Sequence, residues 1–170
     1  MSVELTPGGT RGVELPRFAR WLVKPMMGLS LFAFRRFGSR MKVQGRPLLL
    51  LTTVGAKTGR RRESVLAWFA DPGREDTFLV VGSGGGSARH PGWCYNLAKH
   101  PDQVWIKVGG RELKIWPESL RGAEREEAWK RVVALAPGYG SYEVKTDRQI
   151  PIIRLTPSMA EGGEQPRSPA

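Results

Sequence analysis

The sequence predicts a mixed α+β domain, mainly antiparallel β, arranged as a small barrel with an N-terminal helix, a short inserted helix and a helix before the last strand. Three observations predict it. Short β-branched or leucine-rich runs recur from Leu48 onward, bounded by glycine and proline. A two-glycine step, Gly109-Gly110, joins two of these runs as a hairpin. Only two helical patterns interrupt them, one inserted and one late, too few for the repeating crossovers of a parallel sheet.

Residues 1–14 are polar and carry Gly and Pro, and they read as a flexible leader. Over 15–40 the pattern changes. Phe18, Trp21, Leu22, Met26, Leu29, Phe32 and Ala33 recur at helical steps, with Pro25 as a kink or division. Such a helix packs on the domain, lies on anionic lipid, or meets a second copy. The barrel domain then spans 41–157. Its strands are predicted at 48–53, 64–70, 77–81, 104–108, 112–116 and 150–155, with Pro151 marking an edge or a strand start. Asp71-Pro-Gly-Arg is turn chemistry, and 82–87 is too glycine-rich to continue a strand. A short helix follows Pro91 and stops at Pro101. A longer one covers 122–136, with Trp129, Val132, Val133 and Ala136 as its apolar stripe and Glu126/Lys130 and Glu127/Arg131 as i,i+4 pairs. The tail, 158–170, reads as disordered. No internal repeat occurs.

The chain has 170 residues and a net charge of +11, with 40% apolar and 25% charged residues. This is one globular domain attracted to anions. A single cysteine, Cys94, excludes an internal disulfide and fits a reducing compartment. Basic residues break every apolar run before it reaches membrane-spanning length, and the start lacks a cleavable-leader layout. The chain therefore reads as cytoplasmic, with peripheral contact on the inner face of the plasma membrane through residues 16–37 as a further option.

The charge is concentrated. Between Leu15 and Arg62 there is no Asp or Glu, and twelve Lys or Arg fall in that span. It ends in a glycine-punctuated turn carrying Lys57, Arg60, Arg61 and Arg62, followed by Glu63. Like charges so crowded call for counter-charge. Glu63 supplies one, and a polyanionic ligand is the candidate for the rest.

Several familiar motifs fail. Ala56 separates Gly55 from Lys57, so Gly55–Gly59 is not a nucleotide P-loop. Ser87 stands where a dinucleotide fingerprint needs its third glycine. His90 and His100 have no companions for a metal site, and no metal is expected. No carboxylate pair or nucleophile–base arrangement stands out, so a cofactor is expected to supply the chemistry. Nucleic acid is the rival partner on charge alone, but the basic residues crowd one turn and no nucleic-acid module is recognisable.

Three elements remain: the Lys57/Arg62 turn, the Ser83 glycine loop with Pro91-x-Trp93-x-x-Asn96-Leu97, and Tyr139-x-x-Tyr142-x-x-Lys-Thr-Asp-Arg-x-Ile-Pro. Together they resemble the deazaflavin-dependent nitroreductase and quinone reductase family of actinobacteria, over roughly residues 45–156. The resemblance implies a split β-barrel that binds coenzyme F420 (8-hydroxy-5-deazaflavin) and passes hydride from its reduced form to a quinone-like or nitroaromatic acceptor. It implies that Lys57, Thr58, Gly59 and Arg62, with Arg61, hold the cofactor's phosphate and acidic tail. Val65, Leu66, Ser83, Gly84, Gly85, Pro91, Trp93, Asn96 and Leu97 would lie along its ring system. Ser83, Tyr139 and Tyr142 would orient the acceptor or deliver a proton. Ala67 and Ala136 stand where the nitroreductase branch places aromatic residues, which implies a wider pocket suited to quinones. The alternatives are a split barrel binding flavin mononucleotide, another flavin or a tetrapyrrole without deazaflavin chemistry, and a non-enzymatic basic module for lipid or nucleic acid.

Overall fold

The computed structural model describes residues 2–14, 28–29, 31–36, 38 and 41–158. The predicted disordered tail beyond 158 and most of the predicted N-terminal helix lie outside the described residues. Seven strands, β1 (Lys42–Val43), β2 (Arg46–Val54), β3 (Arg61–Ala70), β4 (Phe78–Val81), β5 (Val104–Val108), β6 (Arg111–Ser119) and β7 (Ile152–Pro157), pair in the order β1-β2-β3-β4-β7-β6-β5. A further pairing of β5 with β2 closes six of them into a barrel, and every pairing is antiparallel.

Helix α1 is helical at 28–29 and 31–36. Helices α2 (Gly92–Lys99), α3 (Gly122–Leu135) and α4 (Gly140–Lys145) follow in chain order. The predicted hairpin is present, with Val108 opposite Arg111 and Gly109 and Gly110 at φ +57° and +81°. Pro151 precedes β7, so it does mark a strand start. It is not an edge, because β7 lies between β4 and β6.

Four consecutive leucines in β2 show how the layers form. Leu49 and Leu51 face the barrel interior and Leu48 and Leu50 face out, yet all four are buried. The inner pair joins Val80, Val104, Ile106 and Ile153. The outer pair is covered by Phe34 of α1. A third cluster packs Trp129 and Val132 of α3 against Leu79, Ile150 and Ile152. A strand buried on both faces loses the alternation of a half-exposed one, which is why this run reads as continuous leucine.

The helical stripe expected at the N-terminus is corrected where it can be seen. Leu29 and Phe32 are each 67% exposed, and the buried residue is Phe34, which the stripe left out. Of the expected i,i+4 pairs in α3, Glu127 meets Arg131 at 3.2 Å, while Glu126 pairs with Arg125 instead.

The expected flexible leader is also corrected. Residues 2–14 run docked across the barrel. Val3 is buried in the main core, and Gly9 and Val13 donate their N–H groups to Ala88 and Gly86. The Asp147 carboxylate accepts hydrogen bonds from the N–H groups of Thr10 and Arg11 and from the Thr10 hydroxyl. These bonds hold the carboxyl down to about 2, with the Thr10 hydroxyl the largest cause. A depressed carboxylate supports the docked segment above its ordinary value of 3.8 and withdraws that support as the pH falls toward 2. The protection of amides 9–13 against exchange, relative to their intrinsic rates, should therefore fall between pH 4 and pH 2 in the native protein. In Asp147→Asn it should already be low at pH 7. Equal protection in both proteins at pH 7 would show that other contacts hold the strap.

Candidate active site

A cleft of about 400 Å³ opens on the barrel's flank, within the range of roughly 300–1,000 Å³ usual for small-molecule sites. Its floor is β3 and β2, through Val65, Leu66, Ala67 and Leu48. Ser83, Gly84 and Gly85 form one wall, with Pro91 and Trp93 at the start of α2 beside them. Tyr139 and Val43 line it too. Eight residues predicted from the sequence, Val65, Leu66, Ser83, Gly84, Gly85, Pro91, Trp93 and Tyr139, thus meet around one space.

The glycine wall could not be built from other residues. Gly84, Gly85 and Gly86 have φ of +55°, +66° and +84° in succession, a region costly to any residue with a Cβ. At Gly85 a Cβ would find no atom within 4 Å, so open space lies where a side chain would stand. At Gly86 it would meet Lys145 Cβ at 2.8 Å, which seats the loop against α4.

What fixes this loop is Arg148, which sequence reasoning missed as a site residue. Its buried guanidinium donates from Nη2 to the carbonyls of Gly82 (3.0 Å) and Ser83 (2.7 Å) and from Nε to Ser87 (2.8 Å). Nη1 lies 3.2 Å from His90 Nδ1, and His90 Nε2 lies 2.9 Å from the Thr6 carbonyl. The two contacts together require a neutral ring that donates from Nε2 and accepts at Nδ1. Burial first, then the neighbouring Arg148 charge, holds His90 below its ordinary 6.5 against the opposing bond to Thr6. The signal in the sequence was an arginine inside the Lys-Thr-Asp-Arg segment, but its partners lie about 60 residues away.

The basic turn joins the ends of β2 and β3. Gly55 anchors it, with its N–H on the Arg60 carbonyl and its own carbonyl accepting from Thr58 and Gly59. Gly59 takes φ +64°. Asn96, expected along the cofactor ring, does a different task. Its Nδ2 donates to Thr53 Oγ1 and its Oδ1 accepts from the Ala56 N–H, both at 2.9 Å. Neither Asn96 nor Leu97 lines the cleft, and Leu97 is fully buried in the core. Helix α2 therefore touches the cleft through Trp93 and pins the turn through Asn96, about 4.5 Å further along its axis. Arg62 stands three residues from Val65 on β3, roughly 10 Å.

The charges of the turn are distributed unlike the expectation. Glu63 pairs with Arg35 of α1 at 2.7 Å, so it is not the counter-charge of the cluster. The Arg61 guanidinium lies over the Trp105 ring at 4.9 Å. Among the described residues Lys57, Arg60 and Arg62 are exposed and form no ion pair.

Of the two tyrosines, only Tyr139 reaches the cleft. Burial and the neighbouring Tyr142 raise its pKa above 10.0, so it keeps its proton at neutral pH. The Tyr142 hydroxyl accepts instead from Gln44 Nε2 at 3.4 Å, and its ring stands edge-on to Tyr139 at 5.5 Å. Ala67 lines the cleft, whereas Ala136 is buried under α3 and does not. Cys94 is buried, and burial pushes its thiol well above the ordinary range, leaving it inert.

The family model for F420H(2)-dependent quinone reductase matches residues 32–157. The chain belongs to that family. A F420H(2)-dependent quinone reductase of Mycobacterium tuberculosis is 37% identical over 113 residues, which is 65% of this chain and 73% of the relative. A solved F420-H2 dependent reductase is 37% identical with a TM-score of 0.57, covering 65% of this chain and 95% of its own. Another solved structure, described as a domain-swapped dimer, is 30% identical with a TM-score of 0.57, covering 81% and 98%.

The residues present fit a cofactor with a flat ring and an anionic tail. Open space at Gly85 admits a ring against backbone, and cations without an ion pair among the described residues stand in the turn that leads into β3, a strand of the cleft floor. If Asn96 is what couples them, Asn96→Ala should destabilise the protein by about 1–3 kcal/mol. It should also raise amide exchange at 55–60 more than elsewhere. Denaturant titration and exchange measurements check this, and unchanged protection at 55–60 would refute it.

Proposed function

We propose that this chain uses the cleft to bring reduced coenzyme F420 against a quinone, with Lys57, Thr58, Gly59 and Arg62 holding the phosphate and acidic tail. The observation that carries it is the cleft itself, where a glycine wall, an apolar floor and a protonated tyrosine surround one space. When bound, the reduced cofactor supplies a hydride. The chain supplies everything else. Leu48, Val65 and Ala67 make a flat apolar floor that excludes water. Ser83 orients the acceptor, and Tyr139 provides the proton that a newly reduced oxygen needs. Tyr142 and Gln44 steady Tyr139 from behind. Arg61, committed to Trp105, contributes charge more than contact.

The small side chain of Ala67 supports quinones first, with nitroaromatic acceptors secondary. Titration of the protein with oxidised coenzyme F420, followed by fluorescence, should saturate at micromolar cofactor. Lys57→Ala with Arg62→Ala should weaken it at least tenfold and flatten its dependence on salt. Tyr139→Phe should leave binding unchanged and lower kcat by about a hundredfold. Absence of saturable binding would end this reading and favour flavin mononucleotide or a charge-driven module.

Peripheral contact with a membrane is supported by Leu29 and Phe32, exposed on α1 beside exposed Arg35. Among the described residues no helix is long and apolar enough to cross a membrane. Flotation with vesicles of anionic phospholipid should capture the protein, and Leu29→Ser with Phe32→Ser should abolish capture. Retention by the double variant would remove α1 as the contact.

A further inference from the structure

One cation beside the cleft has no task in the reading above. Arg46 opens β2, and its Cα faces Val43 across the β1–β2 ladder. Directly opposed residues of an antiparallel pair project to the same face, and so do residues two apart on one strand. Val43 and Leu48 both line the cleft. The Arg46 side chain is not itself part of the cleft lining, but it leaves the sheet on the cleft's own face, beside two residues that are. Its guanidinium carbon stands 5.5 Å from the centroid of Phe69, and Phe69 meets the Tyr139 ring edge-on at 5.6 Å. This is the Tyr139 end of the cleft.

Arg46 is also unlike the buried arginines of this fold. Arg148 donates to three carbonyls, Arg154 meets Asp71, Glu118 and Glu124, and Arg125 meets Glu126, Glu143 and the Ile150 carbonyl. Among the described residues Arg46 forms no ion pair, and its Nε is buried without an acceptor. A desolvated charged donor left unmatched is costly, and attraction to the Phe69 face offsets only part of that cost. The other unmatched buried donor, Trp68 Nε1, belongs to a ring packed on Phe78 against the barrel core.

We propose that Arg46 recognises an anionic oxygen on the acceptor, so that the cleft is selective for quinones bearing an ionised hydroxyl. The inference rests on the quinone reductase reading and names the acceptor class within it. Arg46 matches the anion at the same end of the cleft where Tyr139 holds its proton.

The test compares 1,4-naphthoquinone with 2-hydroxy-1,4-naphthoquinone, which is ionised at neutral pH. Turnover with reduced coenzyme F420 is measured for the native protein, Arg46→Met and Arg46→Lys. Equilibrium binding of each quinone to protein loaded with oxidised cofactor is followed in parallel by tryptophan quenching. Arg46→Met should raise KM and Kd for the hydroxyquinone roughly tenfold to a hundredfold and leave both within about twofold for the neutral quinone. Arg46→Lys should fall between, and cofactor affinity should not move in either variant. Equal loss for the two quinones, weakened cofactor binding, or no loss at all would overturn the proposal. If the native protein binds the hydroxyquinone preferentially and Arg46→Met does not, yet neither quinone is turned over, the reductase reading fails and the anion site stands. Should Arg46→Met fail to fold, Arg46→Lys decides by the same comparison.

Discussion

Strand β2 is bonded on both edges and buried on both faces, and the rest of the molecule is arranged around that constraint. It pairs with β3 on one side and with β5 on the other, which closes the barrel. Its four leucines fill the barrel interior and the layer beneath α1 at once. Truncating any one of them would cost about 2–5 kcal/mol, a large share of the stability of a single domain. Its two ends carry different polar business. Arg46 and Leu48 belong to the cleft end, and Thr53 leads into the basic turn. Nine residues of strand, roughly 26 Å from end to end, tie the cleft to the basic turn without any flexible part.

Rigidity is less natural for the wall opposite. Three successive glycines at positive φ have no side chains to pack and lose more entropy on folding than any other run. The fold compensates with one buried guanidinium, because Arg148 collects the carbonyls of Gly82, Ser83 and Ser87 around the bend. A cation buried this deeply is tolerable only with its donors matched. His90 serves as one acceptor because it stays neutral, with its other nitrogen spent on the docked N-terminal segment. Leader, histidine, arginine and glycine bend thus form one hydrogen-bonded unit. Protonating His90 would set a second cation 3.2 Å from Arg148. Burial depresses that histidine, so its contribution is present above 6.5 and is lost as pH falls below it.

Much of this was legible in the chain because it is local. Leucine and β-branched runs, the Gly109-Gly110 hairpin, the helix after Pro91 and the amphipathic 122–136 stretch each carry their own periodicity or punctuation, and each appears within a few residues of its expected place. The cleft was legible through the family resemblance that the glycine, tryptophan and tyrosine motifs carry together. What escaped notice is held by partners far away in sequence. Residues 2–14 have no pattern of their own, and they are ordered by Asp147 and by Ala88 and Gly86. β1 is two residues long, below any periodicity. The role of Asn96 depends on Thr53 and Ala56, more than 40 residues upstream or at 40, and that of Glu63 on Arg35, 28 residues upstream. Phe34 was missed because the helical stripe ran through Leu29 and Phe32, which are exposed.

The partners of Glu63 and Arg61 bear on why the turn stays charged. A carboxylate beside Lys57, Arg60 and Arg62 would have neutralised the patch internally. Instead α1 draws Glu63 away through Arg35, and Trp105 draws Arg61 onto its ring. Exposed ion pairs of this kind contribute only about 0–1 kcal/mol each, so the arrangement does little for stability. Its effect is on the field: among the described residues three like charges have no ion pair at the rim of a turn whose backbone is held by Gly55 and Asn96. Mutual repulsion in such a cluster is a standing cost that salt screens in part and that a bound anion would relieve. The same logic applies at the other end of β2, where Arg46 Nε is buried without an acceptor among the described residues. Both ends of the strand therefore keep unmatched positive charge, and the apolar floor between them is where a neutral ring can lie.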